Sequence, residues 1–295
     1  MQISDVKLGN ATRLPVDRAQ CPVQVIAVIG TEHGMDQSNI AINLAQSLAS
    51  AGNRTMLLDA DPGSGNIEIL LGVMPQSTLF DVVTGCCQLE ETIHTVADGL
   101  LLLSAAVGKQ QLAQMNRREC AGLVRVFSDL DTPLDTLIIN TASGLSDCAA
   151  SFCRAATEVL VVVNDDSESV KGSIAHIDML CDMYGIHRFR ILANNVNSAF
   201  EGRAVFEKIL GNYSNDHDKV LLYSGFISCG EYLSRASGNR NAVVTEFPDS
   251  HQAIAIVNLA RRVMLWPHPG IAGGHLEFFV ERLFKNENRA VEAKS

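Results

Sequence analysis

The sequence predicts an α/β fold: one doubly wound, mostly parallel sheet with helices on both faces. Three observations carry this. Short apolar, often β-branched runs recur along the chain and read as buried strands. Segments of helical period lie between them, joined by short connections. Polar loops follow directly on several of the strands, where ligands bind in such sheets.

The elements follow in order. Residues 1–22 are polar and mixed, with Pro15 and Pro22, and read as a loosely ordered lead-in. Residues 23–29 form a buried strand. The helix after its loop, 39–51, carries Ile40, Leu44, Leu48 and Ala51 at helical spacing, and Gly52-Asn53 ends it. Residues 55–61 are a second strand, closing on Asp59 and Asp61. A loop over 62–66 follows. Residues 78–83 and 89–96 read as short helices, 100–105 as a strand, and 117–130 as an amphipathic helix. Strands at 134–140, 159–164, 189–194 and 220–227 follow, with helices at 167–184, 199–210 and 252–266. The last helix is strongly apolar, with Ile254, Val257, Leu259 and Val263. Residues 23–266 make one domain.

Trp266-Pro267-His268-Pro269-Gly270 then breaks the chain, and 267–295 is a separate tail. Residues 275–285 read as an amphipathic helix with Leu276, Phe279, Val280, Leu283 and Phe284 on one side. That side either packs on the domain or meets a partner or membrane surface. The polar side is acid-rich, which weakens the membrane reading.

Composition excludes several classes. The chain has 295 residues, 47% of them hydrophobic, enough for a large core. Lys and Arg number 23 against 33 Asp and Glu, a net charge of −10, which argues against direct nucleic-acid binding. The eight cysteines form no C-x-x-C pair and read as buried, reduced thiols of a cytosolic protein. The N-terminus has no signal-peptide pattern. No apolar run reaches the roughly 20 residues of a membrane span.

The chemistry centres on Gly30-Thr31-Glu32-His33-Gly34-Met35-Asp36-Gln37-Ser38-Asn39. A strand runs into a polar turn, and the turn opens a helix. That is the layout of a phosphate-binding loop. Such a loop needs glycines, so that backbone N–H groups close around the anion, and a lysine to meet its charge. Here His33 and Asp36 fill glycine positions and Gln37 stands for the lysine. His33 reads as a solvated loop histidine, with no nucleophile or metal-ligand spacing beside it. The loops after 23–29, 55–61 and 134–140 should converge on one crevice. Asp59 and Asp61 also fit plain turn or helix-cap carboxylates.

With these loops in view the chain resembles the MinD/ParA group of deviant Walker ATPases, and more narrowly the FleN/FlhG regulators of flagellar number. The family loop G-G-K-G-G-V-G-K-T-N is matched in position by residues 30–39. The element L-L-D-A-D-x-G-x-A-N is matched by Leu57-Leu58-Asp59-Ala60-Asp61-Pro62-Gly63-Ser64-Gly65-Asn66. The Walker B strand I-D-T-A-A-G is matched by Ile139-Asn140-Thr141-Ala142-Ser143-Gly144. Residues 151–156, 188–194 and 201–203 extend the likeness, and tail residues 274–283 are close to the FleN pattern.

The resemblance implies ATP or ADP with Mg²⁺ in the crevice. By position, Glu32 would reach a partner's phosphates and Gln37 the chain's own. Gly30, Gly34 and Asp36 would line the loop, beside Asn39, Asp59 and Asn66. Ser38 would hold Mg²⁺ if a nucleotide binds, with support from Asn140. Asp61 would position the attacking water, and Asn194 would read the adenine. Ser38 and Asp61 keep the family's chemistry. Glu32, Gln37 and Asn140 do not. Two unit charges about 4 Å apart interact by roughly 4 kcal/mol at an effective dielectric near 20. Each ~1.4 kcal/mol is tenfold in affinity. Even heavily discounted, these changes weaken phosphate binding and phosphoryl transfer by orders of magnitude.

The expectation is therefore a pseudo-ATPase that regulates by protein contact, with no cofactor. The alternative is a divergent ATPase or nucleotide sensor that keeps ATP-dependent dimerisation, with Lys109, Arg117, Arg118 or Lys171 replacing the lost lysines. By resemblance the partners are a σ54-type flagellar transcriptional activator, a signal-recognition-type flagellar GTPase, or another copy or functional homologue in a dimer. The resemblance places such a protein in the cytoplasm, peripheral at the inner membrane or cell pole.

Overall fold

The computed structural model describes residues 22–31, 35–61, 67–104, 115, 117–130, 132–141, 146–213, 218–268 and 277–279. An eight-stranded sheet runs through the centre in the order β3-β4-β2-β5-β1-β6-β7-β8. Its strands are β1 (Gln24–Gly30), β2 (Thr55–Asp59), β3 (Ile93–Thr95), β4 (Leu101–Ser104), β5 (Thr136–Asn140), β6 (Glu158–Asn164), β7 (Arg188–Val196) and β8 (Val220–Ser228). All pairs are parallel except β3 with β4. Every residue of β1, β2 and β5 is buried. Their unbroken apolar runs therefore face helices on both sides.

On one face lie α1 (Met35–Ser50), α2 (Ile67–Leu70), α8 (Tyr232–Gly238), α9 (Val243–Glu246) and α10 (His251–Val263). Ile40, Leu44 and Leu48 of α1 meet Ile256, Leu259 and Val263 of α10 there. The other face carries α3 (Leu79–Val83), α4 (Arg117–Val126) and α5 (Asp147–Ala155) on one half, and α6 (Ser167–Tyr184) and α7 (Ala199–Leu210) on the other. Local signals set several boundaries. Asp166 accepts from the N–H groups of Glu168 and Ser169 to start α6, and Gly185 ends it at φ 67°.

The structure corrects several expectations. Residues 89–96 are a 3₁₀ turn (Leu89–Thr92) followed by edge strand β3, because Ile93 and Thr95 are β-branched and pair with β4. The helix expected over 117–130 gives way to a 3₁₀ turn at Phe127–Asp129. Helix α1 starts at Met35, so Asp36, Gln37 and Ser38 sit in its first turn rather than in a loop. Helices α8 and α9 escaped the sequence reading. The stretch Ser237-Gly238-Asn239-Arg240-Asn241 between them has turn composition. Cys120, Cys148, Cys153 and Cys181 are buried as expected, but Cys86 and Cys229 are exposed.

The tail residue Phe279 also departs from an outward-facing role. It is 1% exposed, and its ring lies 5.8 Å from that of Phe127 in an edge-on contact. Phe278 sits between Phe127 and Phe152, at 5.1 and 5.9 Å. Four rings from α5, the end of α4 and the tail thus form one apolar cluster. Residues 277–279 form a turn. Leu276, Val280, Leu283 and Phe284 lie outside the described residues. Among the described residues, no helix is long and apolar enough to cross a membrane.

Candidate functional site

Strands β1, β2, β5, β6 and β7 all end at the same edge of the sheet. Their last residues converge there on the start of α1, as the topology requires. Gln37, on the first turn of α1, is 2% exposed. Its side chain folds back over the sheet edge. Nε2 lies 2.9 Å from the Val28 carbonyl oxygen, 2.6 Å from that of Thr141 and 3.1 Å from Asn140 Oδ1. Three acceptors around one NH₂ fix which end of the amide is nitrogen. Oε1 points the other way and has no hydrogen-bond partner among the described residues.

The amide also explains Gly30. A Cβ at that position would stand 2.9 Å from Gln37 Oε1 and 3.1 Å from Gln37 Cβ, so the amide would have to shift. Between Gly30, Thr31, Asp36 and Gln37 the remaining hollow is about 10 Å³. That is at most the space of one water and not of a phosphate group. Asp36 supplies negative charge at the N-terminus of α1, where a helix favours it. A phosphate would otherwise take that place. Asp36 accepts from Asn164 Nδ2 at 3.0 Å, and Asn164 Oδ1 accepts from Asn194 Nδ2 at 2.9 Å.

Behind Gln37 lies a second network. Asn140 Nδ2 donates to Asp59 Oδ1 at 2.9 Å and to Ser38 Oγ at 3.2 Å. Asp59 is fully buried and also accepts from the N–H groups of Ile67 (3.1 Å) and Asp61 (3.3 Å). It therefore holds the start of α2 and the turn after β2. Burial, and then the neighbouring Glu68 carboxyl, push its pKa up to about 8. Glu68 in turn accepts from the Ser104 hydroxyl. Asp61 is 2% exposed.

Next to the blocked hollow a larger cavity opens, about 400 Å³. Asp36, Asn39, Asn194, Ser228, Leu233 and Ser237 are among its lining residues. Asn39 Oδ1 accepts from the Ser237 hydroxyl of α8. Among the described residues, neither hollow has a Lys or Arg in its lining. Arg118 and Lys171, expected as substitute cations, are thus absent from both linings. Lys109, and the side chain of Arg117, lie outside the described residues. No cluster of three or more His, Cys, Asp or Glu positioned for a metal ion occurs among the described residues.

The structure brings together Gly30, Asp36, Gln37, Ser38, Asn39, Asp59, Asp61, Asn140 and Asn194. Glu32, Gly34 and Asn66 lie outside the described residues. The sequence reading missed Asn164, Glu68, Ser104, Thr141 and Ser237. Asn164 had a signal: it ends β6 just as Asn194 ends β7, and the two are register partners.

Known proteins agree with this architecture. Residues 23–184 match a family model described as an AAA domain. The chain is 42% identical over 265 residues to antiactivator FleN of Pseudomonas aeruginosa, covering 90% of this chain and 95% of that protein. It belongs to the FleN/FlhG subgroup of MinD/ParA-type P-loop ATPases. The flagellum site-determining protein YlxH of Helicobacter pylori is 26% identical over 211 residues, 71% of each chain. Among solved structures, the MinD cell division protein of Aquifex aeolicus superposes with a TM-score of 0.66 at 19% identity, covering 84% of this chain and 99% of that one. MinD of Pyrococcus horikoshii, complexed with Mg-ADP, gives 0.67 at 18% identity, covering 82% and 96%. These two likenesses concern the fold.

Proposed function

We propose that this chain is a regulator of flagellar number that works through protein contacts and does not turn over ATP. The carrying observation is the Gln37 side chain, which fills the cradle between the ends of β1 and β5 with its own amide. The residues present do not fit a Mg-triphosphate. The hollow is about 10 Å³, and among the described residues its one charged lining group is a carboxylate, Asp36. Ser38 donates towards Asn140, at 3.5 Å, within the Asn140–Asp59 network. Membership beside FleN, an antiactivator, supports a transcriptional activator as target. A σ54-type flagellar activator is the preferred partner. A signal-recognition-type flagellar GTPase, or a functional homologue in a heterodimer, are the further family options.

The test has two arms. Purified protein is assayed for Mg²⁺-dependent ATP hydrolysis, and its capture of the flagellar activator is measured with and without ATP. The expected result is no turnover above background and capture that ATP does not change. Steady Mg²⁺-dependent turnover, or capture that needs ATP, overturns the proposal.

A further inference from the structure

The edge of the sheet opposite Gln37 holds a cavity of about 420 Å³ that the function proposed above leaves unused. It opens where β6 and β7 begin and where α5 and α6 end. Its volume falls in the range of ligand-binding clefts. Val159, Tyr184 and Ile186 supply apolar wall. Arg154, His187 and Arg188 also line it, and all three are exposed.

These three groups are not spent on the fold. The Arg154 guanidinium has no hydrogen bond or ion pair among the described residues. Arg188 reaches the Glu158 carboxylate with Nε, at 3.4 Å, and its two terminal nitrogens have no partner among the described residues. His187 Nδ1 lies 3.3 Å from Cys181 Sγ, which leaves Nε2 for a guest. Neither arginine is consumed in capping the helix ends. The N–H groups of Ala156, Gly185 and Ile186 already cover the carbonyl oxygens of Cys153, Cys181 and Leu180.

Among the described residues the one carboxylate in the lining is Glu158, and it is already matched. Arg190, behind it, binds both its oxygens, at 2.9 and 3.0 Å, and lies over the Trp266 ring at 3.8 Å. The cavity therefore presents surplus positive charge on a chain whose net charge is −10. Guanidinium groups grip carboxylates through paired N–H donors. Arg154 stands on α5 and Arg188 on β7, so two separated carboxylates complement them. The apolar wall between suits a hydrocarbon side chain, and a single small ion would leave most of the volume empty.

We infer that this cavity docks an acidic segment of a protein partner. Two Asp or Glu side chains meet Arg154 and Arg188, and an apolar side chain packs on Tyr184 and Ile186. The inference rests on the reading that the chain works through protein contacts, and it places one of those contacts away from the filled nucleotide edge.

Titration calorimetry on the full chain, with a capped hexapeptide of alternating glutamate and leucine, tests the cavity itself. The chain as a whole repels such a peptide, so saturable binding of one peptide per chain reports a local basic site. The matching glutamine–leucine peptide should bind at least tenfold more weakly, and added salt should weaken the acidic one. Arg154→Glu should cost at least tenfold with little change in melting temperature, because that side chain has no partner to lose. Arg188→Gln, which keeps a donor beside Glu158, should cost several-fold. Arg261→Glu, the same charge change at an exposed position outside the lining, should cost little. Capture of the flagellar activator should fall at least tenfold with Arg154→Glu. Absence of acidic-peptide binding, or equal losses from Arg154→Glu and Arg261→Glu, overturns the inference. Activator capture that Arg154→Glu leaves unchanged overturns it too, with the non-catalytic regulator still standing. Capture that needs ATP removes that regulator reading, and the peptide titration then decides the cavity by itself.

Discussion

Gln37 and Asn140 are bonded to each other: the Gln37 amide donates to Asn140 Oδ1 at 3.1 Å across the mouth of the sheet. The family pattern has a lysine and an aspartate at these two positions. Two neutral amides stand where the family pattern has two charged residues, and Gln37 supplies the donor that Asn140 Oδ1 accepts. Asn140 has a further duty that an aspartate could not perform, since its Nδ2 donates to the buried Asp59 at 2.9 Å. The two departures from the family are one structural change.

Restoring one family residue alone should therefore hurt. Asn140→Asp replaces the neutral amide facing Asp59 with a second carboxyl, so that two buried acids must share a proton or repel each other. A loss of about 2–4 kcal/mol is expected, the range for a broken buried network. Gln37→Lys should also destabilise, because it buries an ammonium. The double variant should recover ~1–3 kcal/mol relative to the sum of the single changes, as coupled neighbours do. Urea titrations of the four proteins measure this. Simple additivity would show that the two positions act separately.

Removing the plug tests it directly. Gln37→Ala strips the Nε2 donor from the Thr141 carbonyl oxygen, whereas that of Val28 keeps the Thr141 N–H and hydroxyl. A buried group left without its partner costs about 1–3 kcal/mol. The melting temperature should fall by several degrees, and added phosphate or sulfate should partly restore it, by filling the emptied cradle. Unchanged stability would mean that the amide carries none of this edge.

The fold was largely legible in the sequence because buried parallel strands leave unbroken apolar runs and capped helices leave periodic ones. Helices α6 and α7 fall where their periodicity puts them. Strand β3 was not legible. Its three residues lack a buried face, so their pattern is indistinct from the turn before them. At the site, the sequence showed that a lysine was missing at position 37 but not where a glutamine would turn. That direction depends on Val28 and Thr141, whose carbonyl oxygens carry no sequence signal. The inward docking of Phe279 was one of two readings the sequence left open, because an apolar helix face looks the same whether its partner is lipid, protein or its own domain.

Asp59 gives a pH signature. Its carboxyl titrates near 8 when folded and near 4 when unfolded, owing to burial first and Glu68 second. Between these values the folded chain holds a proton that the unfolded chain has released. Stability from this group is thus fully present below about pH 4 and is lost as pH rises through 8. The slope approaches ~1.4 kcal/mol per pH unit within that window. Denaturant midpoints from pH 5 to 9 should fall more steeply for the natural protein than for Asp59→Asn, which starts from a lower stability because its one amide oxygen can serve either the Asp61 N–H and Asn140 on the Oδ1 side or the Ile67 N–H on the Oδ2 side, not both. Parallel curves would place the titrating carboxyl elsewhere.

The tail offers the last test. Phe279 packs edge-on against Phe127 inside the core that α4 and α5 share, and it is 1% exposed. Truncating a buried phenylalanine costs about 3–5 kcal/mol when the neighbours cannot close the gap. Phe279 can instead leave together with its own turn, and the loss is then smaller. Phe127→Ala removes the stationary side of the same contact and cannot be relieved in that way. Phe127→Ala should therefore destabilise the domain more than Phe279→Ala, and hydrogen exchange around residues 277–279 should rise in both. Equal losses with no rise in exchange would show that the tail is as fixed a part of the core as α4 itself.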